Sequence, residues 1–191
     1  MDIIEKERIF FDQSGGGVTF SGGEPLVHSK MLIELLDECR KRKIHTAVDT
    51  AGNVSTETIL EVAKRTNLFL YDLKMMDSDL HKKWVNSSNE GILQNLKAIS
   101  EAGAHIIIRI PLIGGVNDSI QNIEQTAKFI SELAGEKKEV NLLPYHNIAQ
   151  NKYMKLGKSD DFEKLLEPDK KVLAKAILKF SEYGIKATIG G

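Results

Sequence analysis

Six short runs of β-branched and aliphatic residues, separated by stretches of helical periodicity, constrain this chain more than any other feature. They are Gly17 to Ser21, His45 to Asp49, Leu68 to Asp72, His105 to Ile110, Glu139 to Leu143, and a weaker one near Ala187 to Ile189. Strand and helix alternating with no Pro- or Ser-rich linker between them is the pattern of a parallel α/β sheet. The composition of the runs suits burial on both faces. Met31, Leu32, Leu35, Leu36 and Cys39 form one helical stripe, and Ile120, Ile123, Ala127, Ile130 and Ala134 another, which Asp118 with Gln121 can cap at its start. Two helical pieces fit between Asp77 and Gly103. A last helix is expected to begin at Pro168 and turn Val172, Leu173, Ala176, Ile177 and Phe180 inward. Five or six such β/α units fall short of a closed barrel. The expected architecture is an incomplete TIM-type β/α barrel of parallel strands in a single domain, residues 1–191, with a doubly wound open sheet as the competing topology.

Charge narrows the function classes. The chain has 26 basic and 27 acidic residues scattered along its length, a net charge of -1. That balance supplies no field for gripping a nucleic-acid backbone. No apolar run approaches the roughly 20 residues needed to span a bilayer, and the first residues are charged, so a soluble, cytoplasmic protein is expected. The glycosylation-type triplets at Asn53, Asn86 and Asn117 then carry no meaning. Cys39 is the one cysteine. It rules out an intramolecular disulfide, and this chain cannot build a multi-thiolate metal site from its own residues.

Polar groups stand at the C-terminal ends of the proposed strands, where ligands bind in parallel α/β folds. They are Ser21 to Glu24, Asp49 with Thr50, Asp72 with Lys74, Arg109, and His146. Singly, each reads as a loop residue or a helix cap. Together they line one rim. The glycine segment from Gly15 to Pro25 is no phosphate cradle: no Lys-Ser/Thr follows it, and Phe20 stands where a dinucleotide fingerprint needs a glycine. Paired glycines that bare their carbonyls, with Glu24 beside them, suit an ammonium group instead. His28 and His81 read as helix-surface residues, and His45 and His105 as strand openers on the opposite rim. Asp77, Asp79, Asp160 and Asp161 read as helix starts and turn residues.

The segment Val18-Thr19-Phe20-Ser21-Gly22-Gly23-Glu24-Pro25 resembles the GGEP motif of radical S-adenosylmethionine (SAM) enzymes. Asp49-Thr50-Ala51-Gly52, Asp72-Leu73-Lys74, Arg109-Ile110-Pro111 and Leu142-Leu143-Pro144-Tyr145-His146 follow in the order seen in enzymes that activate pyruvate formate-lyase and its relatives. Lys152 to Gly157 and Ile189-Gly190-Gly191 extend the similarity over nearly the whole chain. The resemblance implies that Gly22, Gly23 and Glu24 hold the methionine ammonium of SAM. It implies further that Asp49, Thr50 and Asp72 give oxygen ligands to polar SAM groups or to a monovalent cation. Lys74 would meet a carboxylate or a ribose oxygen, with Leu73 as an apolar wall; Arg109 would fork onto a carboxylate, and His146 would lie beside the nucleoside. The activity implied is reductive cleavage of SAM by a 4Fe-4S cluster to a 5'-deoxyadenosyl radical. That radical takes hydrogen from a glycine of a partner glycyl radical enzyme, with flavodoxin or ferredoxin as electron donor.

The resemblance also shows a gap. The CxxxCxxC segment that binds the cluster in such enzymes has no counterpart here, which implies a chain lacking the first strand, the cluster loop and part of the first helix. Such a chain should not cleave SAM by itself, and its strand at Val18 should form a sheet edge. Gly114-Gly115 replaces a frequent Pro-Gly, so the turn after Arg109 is expected to be less rigid. Two other readings stand beside the first: a radical SAM enzyme acting on a small molecule, and a non-catalytic remnant that binds a glycyl radical enzyme.

Overall fold

The computed structural model describes residues 1–136, 138–146 and 165–190. Helices α1 (Asp2–Lys6) and α2 (Arg8–Ser14) lead into β1 (Gly17–Phe20) and a short 3-10 turn, Pro25–His28. Then come α3 (Ser29–Lys41), β2 (His45–Thr50), α4 (Thr56–Ala63), β3 (Leu68–Asp72), α5 (Ser78–Val85), α6 (Glu90–Glu101) and β4 (Ile106–Leu112). The chain continues through α7 (Ile120–Ser131), β5 (Glu139–Pro144), α8 (Lys170–Glu182) and β6 (Lys186–Ile189). The strands form one six-stranded sheet in the order β1-β2-β3-β4-β5-β6, and β1 is an edge as the sequence implied. Pairing is parallel, with Gly17 opposite His45, Ala47 opposite Leu68 and Glu139 opposite Lys186.

Two compact units divide the chain. The first comprises Met1–Asp72, Ser88–Ile108 and Leu133–Glu136; the second comprises Leu73–Ser87, Arg109–Glu132 and the described residues from Lys138 onward. In the first unit Leu36, Cys39, Val48, Ile59, Val62, Phe69, Tyr71, Leu96 and Ile99 are all but sealed from water. Cys39 is the small core residue its stripe foretold, and burial pushes its thiol pKa up. In the second unit Ile110, Leu112, Ile123, Ala127, Leu142, Ala176 and Phe180 form the core, with α7 packed on α8.

The strands differ from the expectation of burial on both faces. In β3 and β4 buried residues alternate with half-buried ones: Phe69 and Tyr71 against Leu68, Leu70 and Asp72, and Ile106, Ile108, Ile110 and Leu112 against Ile107, Arg109 and Pro111. A period of two with one face less covered is what strands show when polar groups must stay accessible on one side.

Several helix readings change in detail. Met31 is 57% exposed, Ile120 is 50% exposed, and Ala134 lies beyond the end of α7, so only Ile123, Ala127 and Ile130 of that stripe are buried. The cap of α7 is Ser119, whose extended backbone places its hydroxyl to accept from the Asn122 N–H at 3.2 Å. Asp118 instead accepts from the Gly115 N–H at 2.9 Å. The last helix starts at Lys170 with Asp169 as its cap, two residues after Pro168; of its apolar residues only Ala176 and Phe180 are fully buried. His81 is 1% exposed, not on a surface, and its Nδ1 donates to the Ser87 carbonyl at 2.7 Å. Asp77 caps α5 as expected. Lys152 to Gly157, Asp160, Asp161 and Gly191 lie outside the described residues.

The turn after β4 is better held than its glycines suggested. The Gly114 N–H donates to the Leu166 carbonyl at 2.9 Å, a bond that proline could not make.

Candidate functional site

In the first unit the glycine loop after β1 is organised by Glu24. Its Oε1 accepts from the Leu26 N–H at 3.2 Å and from the Thr50 hydroxyl at 2.6 Å, and its Oε2 accepts from the Ala51 N–H at 3.0 Å. A carboxylate has about four acceptor positions, so three donors leave one for a ligand. The clamp ties the β1 loop to the end of β2 and leaves Gly22 and Gly23 exposed, with φ of +93° and +60°. Among the described residues, nothing beyond their own chain neighbours lies within 4 Å of where a Cβ would stand on either. Side chains are disfavoured there by backbone conformation, and the space in front is open.

Asp49 accepts from the Ser21 hydroxyl at 2.9 Å. Because Asp49 pairs with Leu70 and side chains alternate along a strand, Asp49 and Asp72 project from the same sheet face. The Thr50 hydroxyl, besides donating to Glu24, accepts from the Gly52 N–H at 2.8 Å, which leaves it one lone pair. No cluster of three or more His, Cys, Asp or Glu among the described residues could hold a metal ion.

Beneath this loop lies a support that sequence reasoning missed. Asn95 on α6, fully buried, donates from Nδ2 to the carbonyls of Gly52 (2.9 Å) and Val54 (2.7 Å) and accepts from the Thr56 hydroxyl at 2.7 Å. Its signal was an amide on the inward stripe Ile92, Asn95, Leu96, Ile99. Tyr71 donates its hydroxyl to the Ile92 carbonyl at 2.7 Å; burial and then the Glu24 charge push its pKa far up, so it stays neutral.

In the second unit Leu73 is 1% exposed and its N–H donates to the Arg109 carbonyl at 2.9 Å, so it is a core residue as well as a candidate wall. Lys74 is half-buried, its ammonium has no partner among the described residues, and it lines a cavity of about 640 Å³ with Met75, Trp84, Pro111, Val116 and Asn117. Arg109 is half-buried beside Pro111 on the less covered face of β4. His146 is exposed, with its Nδ1 3.9 Å from a Glu167 carboxylate oxygen.

Comparison with known proteins shows the family. Residues 2–130 match the model of the Radical SAM superfamily. The chain belongs to the radical SAM superfamily, in the group of activating enzymes represented by the pyruvate formate-lyase-activating enzymes. It is 43% identical to a trans-4-hydroxy-L-proline dehydratase activating enzyme of Clostridioides difficile, over 98% of this chain and 63% of that protein. It is 39% identical to the pyruvate formate-lyase-activating enzyme of Clostridium pasteurianum, over 91% of this chain and 73% of that one. Its fold is similar to the crystal structure of a domain of pyruvate-formate lyase-activating enzyme from Bacteroides vulgatus, with a TM-score of 0.79 and 41% identity over 92% of this chain and 99% of that one. Measured against the dehydratase-activating relatives, the chain spans about three fifths of their length.

Superfamily members use SAM and a 4Fe-4S cluster. The residues present do not fit the cluster, whose binding takes several thiolates, because Cys39 is the chain's one cysteine and is sealed inside α3. In the first unit, an open pair of positive-φ glycines beside a carboxylate with one acceptor position left fits an ammonium group such as the one SAM carries. No helix among the described residues is long and apolar enough to cross a membrane.

Proposed function

We propose that this chain is the SAM-binding part of an activating enzyme for a glycyl radical enzyme, with residues 1–191 working as one domain. The observation that carries the reading is the Glu24 clamp, which ties the exposed, positive-φ pair Gly22 and Gly23 to the end of β2. The glycine carbonyls and the remaining acceptor position of Glu24 take the methionine ammonium. Asp49, Thr50 and Asp72 supply oxygen atoms for polar groups of SAM or for a monovalent cation. Lys74 and Arg109 compensate the carboxylate or bond ribose oxygens, Leu73 backs them, and His146 bonds the nucleoside. SAM held there would supply the adenosyl group that the family's radical chemistry uses. The part played by these residues is position and charge compensation.

The proposed partner class is supported by relatives that are named as activating enzymes for a dehydratase, for choline trimethylamine-lyase and for pyruvate formate-lyase. Pyruvate formate-lyase or another glycyl radical enzyme is the proposed partner. A second reading is that the chain binds such an enzyme without chemistry of its own, and pull-down of a glycyl radical enzyme in the absence of SAM would favour it.

Calorimetric titration with SAM tests the first reading. The wild-type chain should bind, and Gly22→Ala or Gly23→Ala, which place a methyl group in the open space at a cost of about 1 kcal/mol in backbone strain, should weaken binding by about tenfold. After incubation with iron, sulfide and reductant the chain should form no 5'-deoxyadenosine. Equal affinity in the alanine variants would overturn the glycine assignment, and 5'-deoxyadenosine formation would show that the chain holds a cluster after all.

A further inference from the structure

Asn117 lies in the turn between β4 and α7 with 2% of its surface exposed. Its Nδ2 donates to the carbonyls of Lys74 and Pro111, both at 2.6 Å, and its Oδ1 accepts from the Ile113 N–H at 2.8 Å. Behind it, Asn122 donates to the Asn117 carbonyl at 2.8 Å and accepts from the Met76 N–H at 2.9 Å. Two buried amides thus grip the backbone on either side of Met75, itself 4% exposed. The gripped stretch lies just past β3, where the chain has left the sheet and its peptide groups need other partners.

We infer that Asn117 is a positioning residue that fixes the Lys74 segment against the end of β4 and so sets where the Lys74 ammonium is presented. The inference rests on the reading of Lys74 as a SAM contact. Amide chemistry explains the residue type. Only an amide gives two donors to two carbonyls and an acceptor to a third backbone group from one short side chain. Aspartate has the same shape but turns both carbonyl contacts into facing acceptors. Lys74 has no ion-pair partner among the described residues, so its backbone anchorage sets the root from which its flexible side chain reaches.

The test is a double-mutant cycle on SAM affinity, with N117D, K74M and their combination, alongside amide hydrogen exchange at Met76. N117D should weaken SAM binding about tenfold in the wild-type background and less than about twofold in the K74M background, since non-additivity marks residues that act through one another. N122A, which leaves the direct Asn117 bonds in place, should weaken binding by a smaller factor and speed exchange at Met76. Equal losses from N117D in both backgrounds, or no loss in the wild type, would overturn the inference. If K74M binds as the wild type does, or the wild type does not bind, the Lys74 reading fails. Exchange at Met76 in N117D then decides the structural half, and an unchanged rate in that variant overturns it.

Discussion

Glu24→Ala is expected to destabilise the chain by about 3–5 kcal/mol, because each buried donor left without its acceptor costs about 1–3 kcal/mol. Three donors converge on this carboxylate, and one of them, the Thr50 hydroxyl, belongs to a residue only 2% exposed. For a chain of this size the melting temperature should fall by roughly 10 °C. Glu24→Gln should cost less, since the amide oxygen still serves one side of the clamp while the NH2 group meets a donor. Thermal unfolding by circular dichroism checks both. A melting temperature within a degree or two of wild type in Glu24→Ala would mean that the carboxylate does not organise the loop. SAM affinity should fall together with stability, because the same clamp holds Gly22 and Gly23 in place.

The second large effect lies one residue past the clamp's far end. Gly52 has φ of +69°, and a Cβ there would stand 1.9 Å from the Tyr71 hydroxyl oxygen and 2.4 Å from its ring carbon. Tyr71 cannot yield, being fully buried and bonded through its hydroxyl to the Ile92 carbonyl. Gly52→Ala should therefore cost about 3 kcal/mol or more, the sum of overpacking and left-handed strain. Gly23→Ala is the control. It has a similar φ but open space, and should cost only about 1 kcal/mol. Equal losses in the two variants, measured by urea unfolding, would show that Tyr71 does not close on Gly52.

The strands were legible in the sequence because aliphatic runs of strand length between helical patterns leave few alternatives. Each of the six proposed runs overlaps a strand to within about two residues at its ends. Less legible was how polar side chains are used. Glu24 could be recognised as part of a motif, but spacing does not reveal that Thr50 and Ala51, some 26 residues on, close onto its carboxylate. Asn117 looked like part of a chance glycosylation triplet, yet it holds three backbone groups of two strand-end segments. Such contacts are set by the tertiary meeting of loops, which local periodicity does not encode. The helix ends were misread for a smaller reason. Asp118 and Ser119 are both good caps, and the choice between them depends on which one has an extended backbone.

The glycine loop after β1 is the proposed seat of the SAM methionine group, and Lys74 a proposed contact of SAM. Titration of a nitrogen-15-labelled chain with SAM, followed by amide NMR, tests this assignment residue by residue. Saturable shifts concentrated at Gly22, Gly23, Ala51 and Lys74 are the predicted result. Shifts confined to other surfaces, or none at millimolar SAM, would contradict it.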